Sequence, residues 1–293
     1  MGLYQLKKQL KRELKQQEIQ RKKSNRNRWI IFFLVVLVLA AGFFPVYRQQ
    51  QLSASQRLFA EGVKLESMGQ LALAENKYQE VYQRYPHAQE AAESLFRIAK
   101  LWQFNHQDVQ RALLSYLKIE HDYPDNPLVL PASEEAARIV KYTLRDFSRA
   151  IEFYQRLLDL NAGAPDQYYY EIADCYFRLE NYSQARIELE TLLEKYPQSD
   201  LAADVLYRKA GILLLEGLTE EARQDWLEVI DRFPDSKYRI QAEFDLAKVL
   251  EEEGFLSEAL QLYQKLEGDV EPSMLEAKIQ HLEKRINDKR EAI

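Results

Sequence analysis

The sequence predicts an all-α solenoid of about six helix–turn–helix repeats, closed by a C-terminal capping helix and preceded by one N-terminal transmembrane helix. Three observations lead there. A pattern of alanine, aromatic and aliphatic residues, often closed by Tyr-Pro, recurs six times between Ala74 and Leu266. Glycine and proline contribute 9 residues each to a chain of 293, too few for a loop-rich all-β fold. A run of uncharged residues, Trp29–Tyr47, directly follows a strongly basic stretch. With 46% hydrophobic residues, the chain can bury a continuous core.

Residues 1–28 carry ten Lys/Arg and two Glu. Leu3, Leu6, Leu10 and Leu14 recur there at three to four residues, with Lys7, Lys8, Lys11, Arg12 and Lys15 between them. This is the pattern of a basic amphipathic helix able to lie on anionic lipid. A solvated tail that merely sets topology fits it equally.

Residues 29–47 read WIIFFLVVLVLAAGFFPVY. As a helix this run measures about 28 Å, against a hydrocarbon core of about 30 Å. Trp29 and Tyr47 stand at its ends, where aromatic belts form. Because the basic cluster precedes the span, the positive-inside rule puts the N-terminus in the cytoplasm and the body across the membrane. An uncleaved signal anchor is the expectation; Ala40-Ala41-Gly42 leaves a cleaved signal peptide as the alternative.

The body, residues 48–293, holds 30 Lys/Arg against 44 Asp/Glu. So acidic a surface disfavours nucleic acid, whose phosphates need neutralising. Residues 48–268 carry the repeats. The second helix of each presents Ala74/Tyr78/Val81, Ala112/Tyr116/Ile119, Ala150/Tyr154/Leu157, Ala185/Leu189/Leu192, Ala222/Trp226/Val229 and Ala259/Tyr263/Leu266. Spacing of i, i+4, i+7 puts each trio on one helix face. The small alanine admits a neighbouring helix, and the bulky side chain fills the space one turn on. Proline at 86, 124, 197 and 234 stops the helix, since the preceding residue is driven from the α region. Upstream, each first helix is expected to end near Gly69, Asn105, Asp146, Asn181, Gly217 or Gly254. The third unit ends in Leu160-Asn-Ala-Gly-Ala-Pro165 instead of Tyr-Pro, either a hinge between repeats one to three and four to six or a variant loop.

This pattern resembles the tetratricopeptide repeat. Tyr169, Ile172, Ala173, Tyr176, Ala185, Leu189, Leu192 and Pro197 occupy the family's eight signature positions without a gap. The fifth unit matches through Leu206, Ala210, Leu213, Ala222, Trp226, Val229 and Pro234, and the sixth through Leu246, Ala247, Leu250, Ala259, Tyr263 and Leu266. In the first, Leu58, Gly62, Leu65, Ala74, Tyr78, Val81 and Pro86 match, but Glu61 replaces an apolar residue. The second and third units match poorly in their first helices. The likeness covers about residues 53–268. Residues 269–293 follow, with Pro272-Ser273-Met274-Leu275-Glu276 as a capping-box start and Leu275, Ile279, Leu282 and Ile286 on one face. That reads as the helix covering the last repeat's open side.

Candidate chemistry is sparse. No phosphate-binding, dinucleotide or nucleophile-elbow motif occurs, and His87, His106, His121 and His281 lack ligand spacing. A single cysteine, Cys175, excludes internal disulfides and reads as a buried structural thiol. Glu251-Glu252-Glu253 reads as a solvated helix end. Tyr168-Tyr169-Tyr170 offers rings for stacking, but Tyr169 falls on a packing position. The chain is therefore expected to be no enzyme and to need no cofactor or metal.

The resemblance implies a concave groove, lined by first helices, that holds a protein or peptide partner. By repeat position Tyr170, Asp174, Phe177, Tyr207, Arg208, Phe244 and Lys248 should face it. The family's carboxylate clamp is absent, because the pairs that would form it are Phe59/Val63, Tyr170/Asp174, Tyr207/Gly211 and Phe244/Lys248. The Tyr-Pro endings are similar to those of periplasmic tetratricopeptide proteins in outer-membrane assembly and the Tol-Pal system, although no lipobox cysteine exists here. The expected role is an inner-membrane scaffold with a periplasmic body. Self-association as a structural bridge, or glycan binding by the aromatic groove, are the alternatives.

Overall fold

The computed structural model describes residues 37, 49–50, 54–266, 268–270 and 272–291. The expected tail, 1–28, and the expected span, 29–47 apart from Leu37, lie outside them. Among the described residues no helix is long and apolar enough to cross a membrane. The described chain is all-α, without a β-strand.

Two compact units divide between Leu101 and Trp102. The first holds α1 (54–67), α2 (Leu71–Arg84) and α3 (Glu90–Lys100). The second holds α4 (Val109–Asp122), α5 (Val129–Arg138), α6 (Phe147–Asp159), α7 (Pro165–Arg178), α8 (Tyr182–Lys195), α9 (Ala202–Leu215), α10 (Thr219–Arg232), α11 (Lys237–Glu253), α12 (Leu256–Lys265) and α13 (Pro272–Glu291). Within it each helix from α4 to α13 packs on the next, as in a solenoid. The loop at 160–165 lies inside this second unit.

All six second-helix trios are buried, so the sequence pattern and the core coincide. Four second helices stop at an aromatic cap, Tyr85, Tyr123, Tyr196 or Phe233, with φ between −136° and −129°. The proline that follows each prevents continuation.

The first helices of repeats two and three each contain a π-helical turn, Leu101–Asn105 and Ile139–Thr143. A π-turn adds one residue to the helix. The small residue that stands twelve before the second-helix alanine elsewhere (Gly62, Ala173, Ala210, Ala247) therefore stands thirteen before it, as Ala99 and Ala137. Both are fully buried. The poor match of these two first helices is a one-residue shift of register.

The turns between paired helices also correct the expectation. In every repeat the left-handed residue lies five before the alanine: Gly69, Gln107, Arg145, Glu180, Gly217 and Gly254. Asn105 belongs to the π-turn, and Asp146 and Asn181 cap the following helix. Where the left-handed residue is not glycine, the next residue is a side-chain cap: Asp108, Asp146 and Asn181 accept from the backbone N–H of Arg111, Arg149 and Gln184. Where it is glycine, the next residue is Gln70, Leu218 or Phe255, with no side-chain cap bond.

Gly62 has a steric role, since a Cβ there would come within 2.6 Å of Tyr78 Cε1. At the other end, Leu275, Ile279 and Leu282 of α13 are buried in the cluster that includes Leu256, Ala259 and Tyr263 of α12. Glu251 pairs with Lys278 and Arg285 of α13 at 3.6 and 3.0 Å, and Glu253 with Arg223 of α10 at 3.3 Å. Two of the three glutamates expected to be solvated thus join helices. In the Tyr168–Tyr170 run, Tyr168 is the most deeply buried, while Tyr169 is partly buried beside Tyr196.

Candidate functional site

A cavity of about 330 Å³ opens among the first helices of repeats four to six. α7 contributes Tyr170, Ala173, Asp174 and Phe177; α9 contributes Tyr207, Arg208, Gly211, Ile212 and Leu215; α11 contributes Asp245. Leu189 of α8 and Trp226 of α10 complete the lining. Five of the seven sequence-predicted groove residues, Tyr170, Asp174, Phe177, Tyr207 and Arg208, thus come together here. Phe244 and Lys248 stand apart from it. Phe244 packs edge-on against Tyr263, with Lys278 of α13 over its ring, and Lys248 is exposed on α11.

Apolar lining comes from Ala173, Leu189, Ile212 and Trp226, with Phe177 and Leu215 accessible at 41% and 57% exposure. Such accessible aromatic and aliphatic groups beside charge are the composition of an interaction hot spot. Gly211 widens the space. It sits inside α9, where glycine costs about 1 kcal/mol relative to alanine. Packing does not require it, because a Cβ there would meet nothing within 4 Å. Trp226 is 2% exposed, and its indole N–H has no hydrogen-bond partner among the described residues.

Polar groups join the first helices in a chain. The Tyr170 hydroxyl donates to Asp204 Oδ2 at 2.6 Å, and Arg208 Nε donates to Asp204 Oδ1 at 2.9 Å. The Arg208 guanidinium lies 5.0 Å from the Tyr170 ring centroid, a cation–π distance. The Tyr207 hydroxyl donates to Asp245 Oδ2 at 2.7 Å, and its ring stacks on Tyr238 at 5.7 Å. Burial and a carboxylate acceptor both push the Tyr170 and Tyr207 phenols upward, so each stays protonated and donates. Among the described residues Arg208 reaches both Asp204 and, at 3.8 Å, Asp174. Asp245 has no ion-pair partner there.

Behind Asp174 lies a group that repeat position did not single out. Lys141, 2% exposed at its side chain, places Nζ 2.5 Å from Glu171 Oε2 and 2.7 Å from Asp174 Oδ2. Burial opposes the charge of Lys141, but the two carboxylates outweigh it and hold its pKa above the ordinary lysine value. Burial likewise raises Asp174, yet the hydrogen bond and charge of Lys141, with Arg178, bring its net pKa below the ordinary value. Tyr142 and Gln167 donate to Glu171 at 2.7 and 2.9 Å and complete its shell. Lys141 sits within the π-turn, so family spacing could not locate it. Asp204 was legible as a helical neighbour four residues before Arg208.

No group of three or more His, Cys, Asp or Glu able to hold a metal occurs among the described residues. Cys175 is fully buried on α7, and burial pushes its thiol up to about 12.

Two family models, each described as tetratricopeptide repeat, match residues 143–207 and 204–236. They span α6 to α10 and include Tyr170, Asp174, Gly211 and Trp226 of the cavity. The chain carries tetratricopeptide repeats there. It is similar in structure to a tetratricopeptide repeat protein from Parabacteroides merdae, at 19% identity and a TM-score of 0.50, covering 79% of this chain and 87% of that one. A crystal structure of MamA protein matches at 18% identity and a TM-score of 0.50, covering 63% and 95%. At these identities the likeness shows the fold. No curated protein matches the chain.

Proposed function

We propose that the chain is a membrane-anchored scaffold of the bacterial envelope, holding a protein or peptide partner in the groove formed by α7, α9 and α11. The observation that carries this reading is the cavity itself: accessible Phe177 and Leu215 beside the charged chain of Asp174, Arg208 and Asp204. That surface is composed for contact with a partner, and partner binding is the reading it supports.

The anchor and compartment rest on the sequence. In this reading, residues 29–47 span the inner membrane, residues 1–28 stay in the cytoplasm beside anionic lipid, and the acidic body works in the periplasm. The acidic balance of residues 48–293 sets nucleic acid aside as a partner.

Two measurements test the proposal. Protease added to spheroplasts should digest the body; a body left intact would overturn the topology. A photo-crosslinking amino acid at Phe177 should trap a discrete envelope protein, whereas one at Leu227, exposed on α10, should not. Capture of a second copy of this chain would favour the bridging role, and equal labelling from both positions would remove the groove as the binding face.

A further inference from the structure

We infer that the turns closing the first helices of repeats three and four form a self-complementary surface, on which a second copy of this chain docks about a two-fold axis. The contact sets Arg145 of each copy against Glu180 of the other. It lies beside the groove formed by α7, α9 and α11 and goes beyond the partner binding proposed there.

Two observations carry it. The first is a pattern confined to these two turns. Three positions and one position before the left-handed residue, repeats three and four each place a large exposed hydrophobic: Tyr142 and Leu144 before Arg145, Phe177 and Leu179 before Glu180. Their exposures run from 38% to 58%. The same two positions read Glu66/Met68, Phe104/His106, Leu214/Glu216 and Glu251/Glu253 in the other repeats. With φ of 55° and 59° at Arg145 and Glu180, the two turns also share a backbone conformation.

The second observation is charge. Arg145 and Glu180 line one cavity together with Tyr142 and Phe177, so the two turns belong to a single surface. The other charged residues lining it, Lys141 and Arg178, are both paired with Asp174. Arg145 and Glu180 have no ion-pair partner among the described residues. One charge of each sign is thus left open at equivalent positions of successive repeats.

A two-fold axis in the plane of contact, passing between the turns, lays turn three of one copy on turn four of the other. Tyr142 then faces Phe177, Leu144 faces Leu179, and Arg145 faces Glu180, each pair occurring twice. A wholly acidic or wholly basic partner would satisfy one of the two charges and oppose the other, whereas a second copy satisfies both. The aromatic groups are held before contact: the Tyr142 hydroxyl donates to Glu171 at 2.7 Å, and the Phe177 ring lies 5.6 Å from that of Tyr182. Two turns make a small interface, so the dimer is weak and forms as concentration rises.

The test is sedimentation equilibrium of the full chain in a density-matched non-ionic detergent. The wild-type chain should pass from monomer to dimer with rising concentration. Arg145→Glu and Glu180→Arg, each with an unchanged circular dichroism spectrum, should each weaken the dimer by about tenfold, since like charges then face each other in both pairs. Mixing the two variants should restore it, because each supplies the charge that the other lacks. An ion pair closed within one chain would give no such restoration. The groove reading has a separate readout: Leu215 lines the groove cavity and not this surface, so a crosslinker there reports a groove partner whether or not copies pair. A wild-type chain that stays monomeric, a dimer that either variant leaves intact, or a mixture that stays monomeric overturns the inference.

Discussion

The ammonium of Lys141 lies 2.7 Å from Asp174 Oδ2 and 2.5 Å from Glu171 Oε2, buried between the π-turn after α5 and helix α7. One cation thus joins two carboxylates across successive repeats. Removing it leaves Glu171 without an ion-pair partner among the described residues and Asp174 with only the half-exposed Arg178 and Arg208, and breaking such a buried pair costs about 3–5 kcal/mol in comparable sites. Lys141→Met should lower the urea midpoint accordingly at pH 7. The pH dependence has a defined sign. Asp174 is held below the ordinary 3.8, so its contribution is complete above that value and is lost as pH falls through the folded pKa. Lys141 is held above 10.5, so its contribution is complete below that value and is lost as pH rises through the folded pKa. The deficit of Lys141→Met should therefore shrink as pH falls toward 3, where Asp174, no longer held down by Lys141, takes up a proton. A deficit unchanged between pH 7 and pH 3 would count against this account.

Gly62 and Gly211 predict opposite outcomes for one substitution. At Gly62 a new Cβ would sit 2.6 and 2.9 Å from Tyr78 Cε1 and Cδ1. Tyr78 is fully buried, with its hydroxyl bonded to Glu66 and its ring 5.6 Å from Phe59, so it has little room to retreat. Gly62→Ala should destabilise by about 1–3 kcal/mol through overpacking. Gly211→Ala should stabilise by about 0.5–1 kcal/mol, because the helix gains propensity and nothing is displaced. Urea melts of the two variants distinguish them by sign alone.

Second helices were legible in the sequence because their spacing is uninterrupted: Ala185, Leu189 and Leu192 keep one face, and all are buried. First helices of repeats two and three were not, since one inserted residue moves Ala99 and Ala137 off the expected register. The π-turn is a backbone choice with no distinct residue signature, so Lys141 stayed hidden with it. In the groove, residues on the family's spacing, such as Tyr170 and Phe177, were within reach of sequence. The space left by Gly211 shows only once its surroundings are known.

The turn after α7 places Glu180 at φ 59°, a conformation that side chains disfavour, and Asn181 then caps α8 through the N–H of Gln184. The cap and the strained residue act in opposite directions, which gives separable predictions. Asn181→Ala should cost about 1 kcal/mol. Glu180→Gly should add about 0.5–1 kcal/mol by relieving the left-handed strain. At the next turn Gly217 already occupies that position and Leu218 provides no cap, so Leu218→Asp should add about 0.5–1 kcal/mol. Thermal melts of the three variants check the signs, and a stabilising Asn181→Ala would overturn the capping role.

Cys175 gives a local probe of α7. Its side chain is fully buried and its thiol is pushed up to about 12, mainly by burial, so almost no thiolate exists at pH 8. The folded chain should fail to react with Ellman's reagent at pH 8, and should release one thiol equivalent once urea unfolds the second unit. Lys141→Met should open this route at lower urea, since Lys141 bonds to Glu171 and Asp174 on the same helix. Rapid labelling of the folded wild-type chain would mean that α7 opens independently of its neighbours. The ion pairs to Lys141 would then not hold the fourth repeat closed.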